Sequence, residues 1–141
     1  RVKLPHLNDW NASRRRAAAK YAELMADPRL VTPATADYAE HIFHLYVIRM
    51  ADRDALMEEL KGKGIASGLH YPIPIHLQPA YAELGYRRGD FPVTEAYAEE
   101  IVSLPIFPEL DDEKVAYVAE AVRAFVLAHA AEKMPEAVAA D

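Results

Sequence analysis

The sequence predicts an α+β two-layer domain, a small sheet covered by helices, on three observations. The chain has 141 residues, the size of one domain. Both ends carry apolar residues at helical spacing. Between them lie three short β-rich runs, too few to enclose a core alone, so the helices must cover the sheet.

Leu4 and Pro5 open the first predicted helix, which runs to about Met25. Proline is tolerated in a first turn because its missing donor would be unpaired there anyway. Trp10, Ala17, Tyr21 and Leu24 recur at helical spacing, and Arg14, Arg15, Arg16 and Lys20 form a charged side. Asp27-Pro28 stops the helix, and Leu30 to Asp37 reads as a loop. His41 to Arg49 (HIFHLYVIR) is the clearest strand, apolar on both faces and so an inner one. Asp52 suits the cap of a second helix with Leu56, Met57 and Leu60 as its buried stripe, ended by Gly62 and Gly64. Ile65 to Leu69 is a short second strand. Pro72, Pro74 and Pro79 keep the stretch from Tyr71 to Pro79 out of any ladder. Gln78 to Leu84 is a short helix, and Thr94 would cap another over Glu95 to Ile101. Ser103 to Phe107 is a third strand. Asp111 caps the last long helix, with Val115, Val118, Val122, Phe125 and Val126 on its buried side.

Composition narrows the function. Hydrophobic residues make up 52% and charged residues 27%, an ordinary globular balance. A net charge of −6 suits nucleic-acid binding poorly, because that binding runs on phosphate neutralisation. No apolar run reaches the roughly 20 residues that span a bilayer. With no cysteine, thiolate catalysis and Cys-ligated zinc are excluded, and a cytoplasmic setting is the default. The first residue is Arg, not Met, which suggests a piece of a longer product.

The histidines are the candidates for chemistry. His41 and His44 sit three apart on a predicted strand, so alternation sends them to opposite faces and argues against a shared metal. His70 and His76 flank Tyr71-Pro72-Ile73-Pro74-Ile75. Six extended residues separate them by up to ~20 Å, which again argues against one metal. The prolines stiffen this loop, however, and a stiff loop holds polar groups in place at little entropic cost. His70, Tyr71 and His76 are thus candidate ligand contacts, beside the alternative of a solvated loop with incidental histidines. The glycines at 62, 64 and 68 follow a helix end and lead into a strand, the reverse of a phosphate-binding loop. Ser67 likewise lies outside a nucleophile elbow. Capping explains Glu109, Asp111 and Asp112, and Arg14 to Arg16 and Arg87-Arg88 read as solvated charge.

Three ordered segments carry a family resemblance. Gly64 to Tyr81 (GIASGLHYPIPIHLQPAY), His41 to Arg49, and Glu99 to Pro108 (EEIVSLPIFP) together resemble the C-terminal small domain of the DegT/DnrJ/EryC1/StrS sugar aminotransferases, pyridoxal-phosphate enzymes of fold type I. Arg1 to Arg16 resembles the start of the long helix leading into that domain. The resemblance implies a mostly antiparallel small sheet. It divides the chain into a long interdomain-type helix at 1–26 and a small α+β domain at 27–132, and the Ala-rich composition of 133–141 reads as a frayed tail. It implies a parent enzyme that moves an amino group, usually from glutamate, to a keto-sugar nucleotide, as a homodimer with pyridoxal phosphate (PLP). His76 first, then His70 and Tyr71, would bind substrate at the mouth of the active site.

The family's cofactor-binding Lys lies in a large domain, in a Ser-Phe-x-x-x-Lys-type segment. Lys3, Lys20, Lys61, Lys63, Lys114 and Lys133 have no such context. The resemblance therefore implies that this chain alone binds no cofactor, holds no catalytic residue and is inactive without its large-domain partner. A second reading is a free-standing binding module that kept the fold and lost catalysis. Neither reading involves a metal, nucleic acid or membrane.

Overall fold

The computed structural model describes residues 1–129; the predicted tail at 133–141 lies outside them. A 3-10 turn over Leu4–His6, with Pro5 in its first turn, feeds helix α1 (Leu7–Leu24). Ala17, Ala18, Tyr21 and the following Met25 are buried, whereas Trp10 and Leu24 are half-buried. The apolar stripe thus meets the core along the second half of the helix. Helix α2 spans Arg53–Gly62 and buries Leu56 and Leu60. Asp52 holds its N-cap position without a side-chain cap bond. Its C-terminus is closed by Gly64, with φ of 71°. The Ile65 N–H reaches the Leu60 carbonyl at 2.9 Å and the Gly64 N–H that of Lys61 at 3.0 Å. That pair of bonds needs a left-handed residue at Gly64, which glycine adopts without a Cβ clash.

Helix α3 (Pro92–Glu100) runs straight into a strand, and helix α4 (Asp112–Ala128) closes the described chain. Asp111 caps α4 as the sequence predicts, accepting the Lys114 N–H at 2.8 Å. Seven α4 residues are buried, from Val115 to Val126. This wide stripe suits a helix that packs on both α1 and α2.

The sheet is smaller than expected. Strands β1 (Tyr46–Arg49) and β2 (Ile101–Leu104) pair antiparallel, with Tyr46 opposite Leu104 and Ile48 opposite Val102. Those four side chains face the core. Single antiparallel bridges, Val31 to Arg49 and Gly68 to Ser103, extend the ladder on either side. The predicted strand over 65–69 is therefore one bridge. The predicted strand at 41–49 forms only in its second half: the Phe43 N–H donates to His41 Nδ1 at 2.8 Å, and Phe43 has φ of 48°. A local side-chain bond thus replaces the ladder. Phe43 still packs against the core, its ring 6.1 Å from that of Tyr46. The third strand begins and ends earlier than predicted, since Pro105 cannot donate to a ladder.

One hydrophobic core joins α1, α2 and α4 to one face of the sheet. Tyr21 donates to the Pro105 carbonyl at 2.9 Å, and its ring lies 4.9 Å from that of Tyr46. Burial raises both phenols, that of Tyr46 to about 12. The opposite face of the sheet carries Arg49, Ile101 and Ser103. Arg49 pairs with Glu100 at 2.7 Å and lies 3.6 Å over the ring of Tyr97. This second face carries the cavity. No helix among the described residues is long and apolar enough to cross a membrane.

Candidate functional site

The cavity, about 640 Å³, lies between the proline-rich loop, the turn before α3 and α3 itself. Its lining is aromatic and aliphatic, with His70, Tyr71, His76, Tyr86, Phe91 and Tyr97 among its residues. A concave apolar site with a few convergent polar groups is the usual form of a small-molecule site. The cavity brings together all three predicted ligand contacts. Tyr71 is 74% exposed at its rim.

The loop places its two histidines by different means. His70 Nδ1 lies 2.8 Å from Ser103 Oγ, so β2 anchors that ring. Gly68 makes room for it: a Cβ there would stand 3.2 Å from His70 Cε1. Beyond His70 the loop turns through a short 3-10 helix at Ile75–Leu77 and another at Pro79–Leu84. The stretch from Tyr71 to Pro79 therefore stays out of the sheet, as predicted, but is not extended throughout. The predicted helix at 78–84 is of the tighter 3-10 form.

His76 is held by a residue that sequence reasoning missed. Its Nε2 donates to Glu95 Oε1 at 2.9 Å, and the two side chains are 7% and 8% exposed. Glu95 also accepts the Gly89 N–H on both oxygens, at 2.8 and 2.9 Å, and the Phe91 N–H at 3.3 Å. Glu95 thereby closes the start of α3, the role expected of Thr94. The helix begins at Pro92, so Thr94 lies too far inside it to cap. A Glu in the first turn behind a Pro was the available signal. The aromatic wall of Tyr86, Phe91 and Tyr97 was also missed, because it comes from separate elements. Phe91 lies 4.7 Å from the His76 ring and 5.1 Å from that of Tyr86.

His41 and His44 both lie outside the strand, so strand alternation does not govern them. Among the described residues, no group of three or more His, Asp or Glu could hold a metal. Arg15 and Arg16 form surface ion pairs with Glu40 and Asp112, of a kind that contributes about 1 kcal/mol or less. Arg87 and Asp90 close a charged turn, the Arg87 N–H donating to Asp90 at 2.7 Å.

Three carboxylates make the fold acid-sensitive. The Arg29 guanidinium and N–H hold Asp27 down to about 2. The Lys114 ammonium and N–H lower Asp111. Burial would raise Glu95, but hydrogen bonds from Gly89, His76 and Phe91 outweigh it and lower the group. Each is depressed relative to the unfolded chain, so its stabilisation is full above the unfolded value near 3.8 to 4.5. It is lost as pH falls through the folded value. The urea midpoint is expected to hold between about pH 7 and pH 5 and to drop steeply from about pH 4 toward pH 2. A flat profile there would contradict these three pairings.

Fold and site together define a two-layer α+β domain with a histidine-bearing aromatic cavity on the open face of its sheet. Residues 1–123 match the DegT/DnrJ/EryC1/StrS aminotransferase family, and the chain belongs to that family. It is 46% identical over 127 residues to the pleiotropic regulatory protein of Geobacillus stearothermophilus, covering 88% of this chain and 34% of that protein. It is 39% identical over 124 residues to a dTDP-3-amino-3,4,6-trideoxy-alpha-D-glucose transaminase of Streptomyces venezuelae, covering 87% and 33%. The S. venezuelae DesV structure, solved in complex with a ketimine intermediate, superposes with a TM-score of 0.86 at 38% identity, over 89% of this chain and 34% of that one. The chain thus spans about a third of the length of the relatives it matches.

Proposed function

We propose that this chain is the small, substrate-facing domain of a PLP-dependent sugar aminotransferase. The parent enzyme would move an amino group, from glutamate, to a keto-sugar nucleotide, and would work as a homodimer. In this reading residues 1–26 serve as the interdomain helix and 27–132 as the small domain. His76, His70 and Tyr71 contact the substrate. The observation that carries the reading is the gathering of these three residues on one cavity in a chain of this family.

Pyridoxal phosphate needs an amine for its aldehyde and donors for its phosphate. The cavity is lined by neither Lys nor Arg. The residues present do not fit the cofactor, and its chemistry would fall to the large domain. The chain alone is therefore expected to be silent with PLP, glutamate and a keto-sugar nucleotide, and turnover by it would overturn that part of the reading.

What this chain supplies is binding and orientation. Aromatic walls give area for apolar ring faces, and His70 and His76 give polar contacts at fixed positions. In the complete enzyme His76→Ala is expected to raise KM for the sugar nucleotide roughly tenfold, the effect of one lost hydrogen bond. An unchanged KM would remove His76 from the substrate site.

A further inference from the structure

Glu95 belongs to α3, far in sequence from the loop that carries the site histidines. A carboxylate at this contact accepts, so the His76 ring must donate. That puts a proton on Nε2 and, in the neutral ring, leaves the lone pair on Nδ1. Nδ1 has no partner among the described residues. The polar side-chain atoms sealed from solvent without a partner are Arg14 Nε and Tyr46 Oη, so Nδ1 is not sealed off, and His76 lines the cavity. The Phe91 ring packs against the imidazole, and the Gly89 and Phe91 N–H groups hold the carboxylate in turn.

We propose that Glu95 is a positioning residue: it fixes His76 as the Nε2–H tautomer and presents Nδ1 to the cavity as an acceptor for a substrate hydroxyl. The substrate half of this proposal rests on the reading of His76 given above; the tautomer half does not. The α3 sequence marks Glu95 as a first-turn carboxylate behind Pro92, not as a partner of His76. Its role follows from three donors converging on one buried carboxylate.

The test begins with long-range proton–nitrogen spectra of the chain carrying 15N-histidine, at about pH 8, where a histidine is ordinarily neutral. His76 is expected to show a protonated Nε2 and a bare Nδ1. A proton on Nδ1 in the unaltered chain overturns the proposal, and this measurement needs no variant. In Glu95→Gln the amide oxygen can take the Oε1 position and keep the His76, Gly89 and Phe91 donors, so the Nε2–H tautomer is expected to persist. In Glu95→Ala the acceptor is gone, and a population protonated on Nδ1 is expected to appear, a change that a merely structural role would not produce; a wholly Nε2-protonated His76 in the folded Glu95→Ala variant overturns the proposal.

In the complete enzyme Glu95→Ala is expected to raise KM for the sugar nucleotide by up to the about tenfold of His76→Ala, with kcat held, and Glu95→Gln to leave KM near its original value. The double alanine variant should be no worse than His76→Ala alone, because both changes remove one contact. Additive losses overturn the claim that Glu95 acts through His76. A tautomer shift in Glu95→Ala with KM untouched by His76→Ala upholds the hold of Glu95 on the ring and discards the substrate contact.

Discussion

Leu60→Ala is expected to destabilise the fold by roughly 3 kcal/mol, within the range for large-to-small changes in a packed core. Leu60 is fully buried and lies in the last turn of α2, where its carbonyl accepts the Ile65 N–H. Removing its side chain leaves a void among α2, α4 and the sheet, and loosens the apolar contact that accompanies this helix end. Urea unfolding followed by far-UV circular dichroism measures the loss. At roughly 3–4 °C per kcal/mol for a domain of this size, the midpoint temperature should fall about 10 °C. A change below about 1 kcal/mol would mean that the site collapses freely, which contradicts a close-packed core. Breaking the exposed Lys61–Glu58 pair one residue away should change stability by less than about 0.5 kcal/mol.

Arg53→Met is the second large effect. Arg53 is 9% exposed. Its Nη1 donates to the Ala98 carbonyl at 2.8 Å and to that of Ile101 at 3.3 Å. These carbonyls lie where α3 gives way to β2 and have no further helical turn to supply donors. Methionine keeps the apolar stem and removes the donors, so the loss is of bonds more than of packing. The expected cost is about 2–3 kcal/mol, as for charged hydrogen bonds to otherwise orphaned buried groups. The bond to Asp54 adds little, since that partner is 84% exposed. Amide exchange should rise in α3 more than in α1. Because α3 carries Glu95, the wall of the cavity should loosen with it. Equal protection in both helices would show that Arg53 does not hold α3.

The elements legible in the sequence are those that local pattern controls. Helices α1, α2 and α4 follow from apolar spacing, and their ends from Pro5, Gly64 and Asp111, whose chemistry acts within a turn of each residue. Strand runs were less legible. His41 to Leu45 has strand composition, yet His41 Nδ1 takes the Phe43 N–H and turns the chain out of the ladder. Ile65 to Leu69 keeps a single bridge, because strand pairing depends on a distant partner and not on local propensity. The loop that brings His70, Tyr71 and His76 to one cavity was legible because prolines mark a stiff segment and because that segment resembles a family signature. Glu95 and the aromatic wall were not, since each is defined by neighbours far away in the chain.

By itself, then, the sequence determined an α+β domain, its long helices and their caps, and a proline-stiffened loop bearing two histidines. Periodicity, capping and φ restriction all act between residues a few positions apart. The tertiary structure alone decided that β2 and α3 lie under that loop. It set the His70 ring on Ser103 and the His76 ring on Glu95, and it closed Tyr86, Phe91 and Tyr97 around them. A buried carboxylate is stable only where donors converge on it, and the donors around Glu95 come from His76, Gly89 and Phe91. Their convergence is set by how the layers pack, which no local pattern along the chain encodes.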